Sequence, residues 1–235
     1  MAREVAPLNR PVFPRVVIVL TVFLAAAGSS FGQETASRFF ERVSERYESI
    51  EDYMADLVIT KGDEVQTAVV YYKTPDKLRL DFSDPDDMVM AVDGEMLQVW
   101  VPSYSVTFSQ PLRKDSQAQM AGLASSRGLE LMSRYYSVAY AQSPDPVPLE
   151  PGSAESVVKL RLVWKSNSEG FRELELSIDS DLRIRRVIGV TTVGETIVFD
   201  FTNMTLNRGI PDARFEYDSP PTGNTIENFL FDPES

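Results

Sequence analysis

Between residues 69 and 108 apolar side chains recur at every second position: Val70 and Tyr72, then Leu78, Leu80 and Phe82, then Met88, Met90 and Val92, then Leu97, Val99 and Val101, then Val106 and Phe108. A period of two is that of a half-buried strand, not of a helix. The runs are separated by turn chemistry at Lys73-Thr74-Pro75-Asp76, at Asp84-Pro85-Asp86-Asp87 and at Asp93-Gly94. A meander of this kind builds one antiparallel sheet with one apolar face. The same grammar extends in both directions. A first strand covers residues 55–60, and four more follow a Pro-rich stretch, at Val158-Leu160-Leu162-Trp164, Leu174-Leu176-Ile178, residues 184–190 and Ile197-Phe199-Phe201. From Asn203 a loop leads into a last short strand before Pro220.

Two stretches break this alternation. Residues 35–53 place Ala36, Phe39, Phe40, Val43, Tyr47 and Ile50 at steps of three and four, which predicts an amphipathic helix capped by Thr35 or Ser37 and packed on the sheet. Residues 117–134 carry Met120, Leu129, Leu131 and Met132 and read as one or two short helices, held loosely because Gly122 and Gly128 lower helix propensity. Residues 135–142 add a strand, and the Pro-rich stretch 143–156 is a loop inside one domain, since β alternation resumes directly after it. The sum is about ten strands and two helical segments in a single sheet, and a sheet of that size must curl.

Curling crowds one face with Tyr71, Leu78, Leu80, Phe82, Met88, Met90, Trp100, Phe108, Leu160, Trp164, Leu174, Phe199 and Phe201, with Met120, Leu129, Leu131 and Met132 placed to cover them. Methionine adapts to irregular apolar partners such as lipid chains. Periodicity alone does not separate a cavity from a filled core.

The amino-terminal end changes where such a sheet would work. Arg3, Arg10 and Arg15 precede the uncharged apolar run 16–27 and the small residues that end at Gly32. This is the layout of a secretory signal peptide, residues 1–32, cleaved after Gly32. The apolar run is short for a membrane span, which needs roughly 20 residues. Cleavage would take the formal charge of the chain from −12 to −14 by removing those arginines and Glu4. So acidic a protein has no footprint for nucleic acid, which requires a basic patch.

The chain has no cysteine and no histidine. Disulfides, thiolate metal sites, a lipid-modified cysteine, Ser-His-Asp catalysis and imidazole zinc ligation are thereby excluded. Ser156 and Lys159 fit S-x-x-K, but on a strand the two side chains point to opposite faces, whereas the acyl-enzyme chemistry needs them one helical turn apart. The carboxylates of Asp84, Asp86 and Asp87 belong to a turn without the glycine hinge and distal glutamate of a calcium loop. Glu173 and Glu175 line the polar side of a strand, and Asn203-Met204-Thr205 is a glycosylation triplet short enough to arise by chance. No catalytic constellation, metal site or cofactor motif remains.

From Phe39 to Tyr217 the order of signals resembles the outer-membrane lipoprotein carrier family (LolA-like). The matching points are the leading helix with Tyr47, Ile50, Tyr53 and Ala55, the run Lys73-Thr74-Pro75-Asp76-Lys77-Leu78-Arg79-Leu80, Asp84-Pro85, Val92-Asp93-Gly94, Trp100-Val101-Pro102, and Asn203 with Ile210-Pro211 before Phe215, Tyr217 and Pro220. The resemblance implies an unclosed β-barrel of about eleven strands with a helical lid over residues 33–235. It implies a monomer in the periplasm of a diderm bacterium that needs no cofactor and holds the acyl chains of lipoproteins in an apolar cavity. The partners implied are acylated lipoproteins, an inner-membrane ABC lipoprotein-releasing complex and an outer-membrane acceptor. The other reading of the same fold is a periplasmic lipid- or lipoprotein-binding sensor, or a structural envelope protein. Where well-known members have an arginine immediately before the strand's proline, latching the lid, this chain has Thr74 preceded by Lys73.

Overall fold

The computed structural model describes residues 34–112, 124–165 and 170–229. The expected signal segment and Met120 lie outside the described residues. Helix α1 (Ala36–Glu48) starts where the Thr35 hydroxyl accepts the Arg38 N–H at 3.2 Å. It is shorter than its periodicity suggested, because the chain turns at Ser49 and enters a strand at Asp52.

Six strands follow: β1 (Asp52–Lys61), β2 (Glu64–Lys73), β3 (Lys77–Asp84), β4 (Asp86–Val92), β5 (Met96–Val101) and β6 (Val106–Pro111). Helix α2 (Ser126–Tyr135) is capped by Ser125, whose hydroxyl accepts the Gly128 N–H at 3.0 Å. Then come β7 (Tyr136–Tyr140), β8 (Val147–Pro148), β9 (Ser156–Trp164), β10 (Phe171–Ile178), β11 (Ile184–Thr191), β12 (Thr196–Leu206) and β13 (Asn224–Glu227). One open sheet of 13 strands holds them all, in the order β13-β6-β5-β4-β3-β2-β1-β12-β11-β10-β9-β7, with β8 beside β9. Among the described residues, every pairing is antiparallel except that of β13 with β6.

The sheet thus has more strands than the ten or eleven expected. Two were hidden. β8 is a two-residue bridge within the Pro-rich loop, and β13 has no alternating pattern because all four of its side chains are exposed. The short strand expected before Pro220 is instead a 3₁₀ turn, Asp212–Arg214, followed by the buried Phe215.

Both helices lie on one face of the sheet. From α1, Phe40, Val43 and Tyr47, with Ile50 just beyond it, are buried, and the Tyr47 hydroxyl accepts the Ile184 N–H at 3.0 Å. The opposite face carries two straps. Residues 143–156 cross β9–β11 and are pinned by Glu155 on Arg185 at 2.5 Å and by Glu150 on Arg186 at 3.4 Å, with Arg186 also forked onto Asp200.

Residues 207–229 cross β1–β6. The buried Asp52 carboxylate anchors this second strap by accepting the N–H groups of Arg208, Gly209 and Ile210 at 2.7, 2.9 and 3.1 Å. Farther on, Asp212 bridges Lys73 and Lys77, and Arg214 pairs with Asp81 while its guanidinium lies 4.1 Å from the centre of the Tyr71 ring. Arg79 donates to the carbonyls of Arg214 and Glu216. The strap thereby shields Ala91, Thr107 and Phe215 on the outer face.

Hydrogen bonds from Lys73 and Lys77 hold the Asp212 carboxyl down at about 2. A depressed carboxylate adds stability above its unfolded value, near 4, and loses it as pH falls through the folded value. Amide exchange along 208–216 is therefore expected to accelerate between pH 4 and about 2 relative to the core. In Asp212→Asn it should already be fast at neutral pH and lack that pH dependence; an unchanged profile would show that the strap does not rest on this bridge.

Candidate functional site

Register aligns the concave face into rows. The first row runs Tyr53, Tyr72, Leu78, Val92, Leu97 and Gln110, each opposite the next on neighbouring strands, and all six are buried. Above it lies α2, whose Leu129 and Met132 are fully buried and whose Ser126 hydroxyl meets the Tyr72 hydroxyl at 2.9 Å. The second row runs Ala55, Val70, Leu80, Met90, Val99, Phe108 and Ile226. Here burial fails part of the way along. Ala55, Val70 and Leu80 are closed off, Met90, Val99 and Phe108 are half-buried, and Ile226 is 45% exposed. Phe82 is buried beside them, and Met88 is half-buried on the same side of β4 as Met90. Over β4, β5 and β6 the apolar face is therefore only half-buried.

At the other side of the sheet more of the face is closed. Leu160, Leu162, Leu174, Leu176, Ile178 and Val187 have no exposed surface. Trp164 leans on Tyr136 with ring centres 6.1 Å apart, and Phe199 meets Phe171 edge-on at 6.3 Å. Gly189 makes room for that second pair, since a Cβ there would lie 2.5 Å from the Phe171 ring. Burial pushes the Tyr136 phenol up to about 12, so the hydroxyl stays protonated and donates to the Phe171 carbonyl at 2.6 Å.

The residues chosen from the sequence therefore fall into separate groups. Leu129, Met132, Leu160 and Leu174 are filled core, and Leu78, Leu80 and Phe82 form the floor of the concave face. Met88, Met90 and Phe108 form the half-buried corner, while Trp164 and Phe199 are half-buried elsewhere on that face. Trp100 is not on it. It is paired with Val89 and Thr107 on the outer side of β5, and its ring packs against Gly223 of the strap. Tyr71 is also outside, beneath Arg214. The alternation through Leu97, Val99 and Val101 places Trp100 on the outer face, so parity, not side-chain size, was the usable signal. Val99 belongs in its place, and Phe229, whose ring centre is 5.3 Å from that of Phe108, had no sequence signal at all.

Several charged side chains of the outer surface pair with one another. Arg161 forks onto Glu173 at 2.7 and 2.8 Å and holds that carboxyl below its ordinary range. Lys159 faces Glu175 at 3.6 Å on the outer surface, away from Ser156. Lys73 likewise points outward, to the Ile210 carbonyl at 2.8 Å and to Asp212, and it is Tyr72 that bonds to α2. Around the helices two clefts open. One of about 460 Å³ lies between α1, α2 and the β2–β3 and β4–β5 turns, with Glu48, Asp76, Arg127 and Glu130 on its walls; burial raises the Asp76 carboxyl. The other, of about 500 Å³, lies between α1 and β7 over Phe40, Tyr136 and Val138.

A family model described as outer membrane lipoprotein carrier protein LolA matches residues 59–218. The chain belongs to the LolA family. Among solved structures, the LolA-like chain described here is similar to an uncharacterized conserved protein from Thermus thermophilus, with 14% identity over 80% of this chain and 98% of that one, at a TM-score of 0.52. It is also similar to the Pseudomonas aeruginosa MucA/MucB complex, at 13% identity over 78% of this chain and 61% of that one (TM-score 0.48), and to a LolA superfamily protein from Nitrosomonas europaea, at 15% identity over 78% and 98% (TM-score 0.41). No curated protein matches it. Among the described residues, no helix is long and apolar enough to cross a membrane.

The Phe171 seat over Gly189 is a sharp packing requirement on the LolA face. Gly189→Ala is expected to lower the unfolding free energy by about 1–3 kcal/mol in a urea titration. Combining it with Phe171→Leu should cost less than the two single changes added together; strict additivity would mean the ring does not need that space.

Proposed function

We propose that this protein is a periplasmic carrier which binds the acyl chains of lipoproteins on its concave face and moves them from the inner to the outer membrane. The single observation that supports the reading is the half-buried corner of Met88, Met90, Val99 and Phe108 at the end of an otherwise closed apolar row in a LolA fold. An acyl chain laid there leaves water at roughly 0.8 kcal/mol per buried CH₂. The methionines adapt to chains of different shape. No bond is made or broken, and the protein works by burial alone. Cargo is handed on by an inner-membrane ABC lipoprotein-releasing complex and delivered to the outer membrane or to an acceptor there. The exported chain takes this role after losing residues 1–32, as a monomer.

Because α2 fills one row with Leu129 and Met132, longer chains are accommodated by exchanging those contacts for contacts with the cargo. Self-packing competes with cargo, so affinity stays moderate and release stays feasible.

The test is displacement of an apolar fluorophore from the mature protein by a triacylated lipopeptide and by its deacylated form. Only the acylated form should displace. Met90→Glu, which puts a carboxylate in the corner, should weaken that displacement about ten-fold or more. Trp100→Phe, on the outer face, should leave it unchanged. Equal displacement by the deacylated peptide, or indifference to Met90→Glu, would overturn the reading.

A further inference from the structure

β6 is the last long strand at one end of the sheet, and its free edge is covered by the chain's own residues 224–228. The N–H groups of Asn224 and Asn228 donate to the carbonyls of Ser105 and Ser109, both at 2.9 Å. On the other side of the strand, Leu112 N–H donates to the Glu95 carbonyl, so alternation turns the amides of Thr107 and Ser109 toward β13. Little else holds this segment. Its four strand residues are all exposed, it is the one parallel pairing among the described strands, and parallel ladders are the weaker kind. Ile226 is paired with Phe108 on the concave side, and Phe229 rests on the Phe108 ring. The root of the same strap is fixed far more firmly, by Asp52, Asp212 and the buried Phe215.

We propose that the β6 edge is a binding site for an extended polypeptide and that β13 is a tethered stand-in for it. The occupant is the peptide that continues from the acylated residue of the cargo. Its acyl chains take the corner now touched by Phe229, and its backbone takes the ladder positions of 224–228. This rests on the carrier reading above. Backbone pairing is indifferent to sequence, which suits a carrier of many cargoes, and the stand-in keeps the edge from pairing with other chains when no cargo is present. A short tether gives β13 an effective concentration on the order of millimolar, so a free peptide loses the competition. A peptide whose acyl chains are already bound is itself tethered, and competes on equal terms.

The experiment compares a triacylated lipopeptide carrying a six-residue extended tail with a twin methylated at alternate backbone nitrogens. Both are titrated against the full mature chain and against Ile226→Pro, which removes the donor that the register aims at the Thr107 carbonyl. The plain lipopeptide should bind about five-fold more tightly than its twin, the worth of roughly one net hydrogen bond. Ile226→Pro should favour the plain form more than the twin. In the complex, the amides of Asn224, Ile226 and Asn228 should lose protection from exchange while those of Thr107 and Ser109 keep theirs. Equal affinity for both lipopeptides, with 224–228 still protected, overturns the peptide site and leaves the carrier reading standing. Binding of neither lipopeptide overturns both.

Discussion

The constraint behind this structure is the width of its own apolar face. Twelve strands in series at about 4.8 Å each present a curved surface on the order of 50 Å around. A helix with its side chains is about 10–12 Å across, so α1 and α2 side by side shield less than half of that arc. Curvature closes part of the difference by turning the sheet around them. It does so where β9–β11 wrap onto the helices, and there Leu160, Leu174 and Leu176 lose all exposure. Over β4–β6 it does not, and there the same alternation of apolar residues leaves Met90, Val99 and Phe108 half in water.

The outer face meets the opposite demand. Its charged side chains pair across strands, as Arg161 does with Glu173, and such exposed pairs add little to stability. Some outward apolar groups are covered by a strap. Phe215 and Ala91 are buried this way, and Trp100 is packed against Gly223. The strap's anchors are of a different grade from exposed pairs. A buried carboxylate that accepts three backbone N–H groups, as Asp52 does, fixes the turn that starts the strap and leaves none of those donors orphaned.

Much of this was legible in the residues. Period-two runs located nearly every long strand, and the step-of-three-and-four pattern located α1, because both signals report a single buried face. β13 left no trace, since an edge strand with four exposed side chains buries nothing and is held by backbone groups that every sequence possesses. The site divided along the same line. Met88, Met90 and Phe108 followed from alternation. Trp100 was misplaced because an indole's bulk outweighed its parity, and the distinction between the filled Leu160–Leu174 quarter and the open Met90 corner depends on where two helices end in space. No local pattern of residues carries that information.

The two halves of the concave face therefore have different physical characters although their sequences read alike. In the closed half, Leu160, Leu174 and Leu176 have no exposed surface, and beside them a Cβ added at Gly189 would have to displace the Phe171 ring. In the open half, the partners of Phe108 are Phe229 and Ile226, which come from the end of a segment with few contacts of its own. Burial is complete at Tyr47, Leu129 and Leu174 and partial at Met90 and Phe108. The filled side chains lie under the helices and on β9–β11, and the half-buried ones on β4–β6, so the same alternation ends in two different degrees of burial.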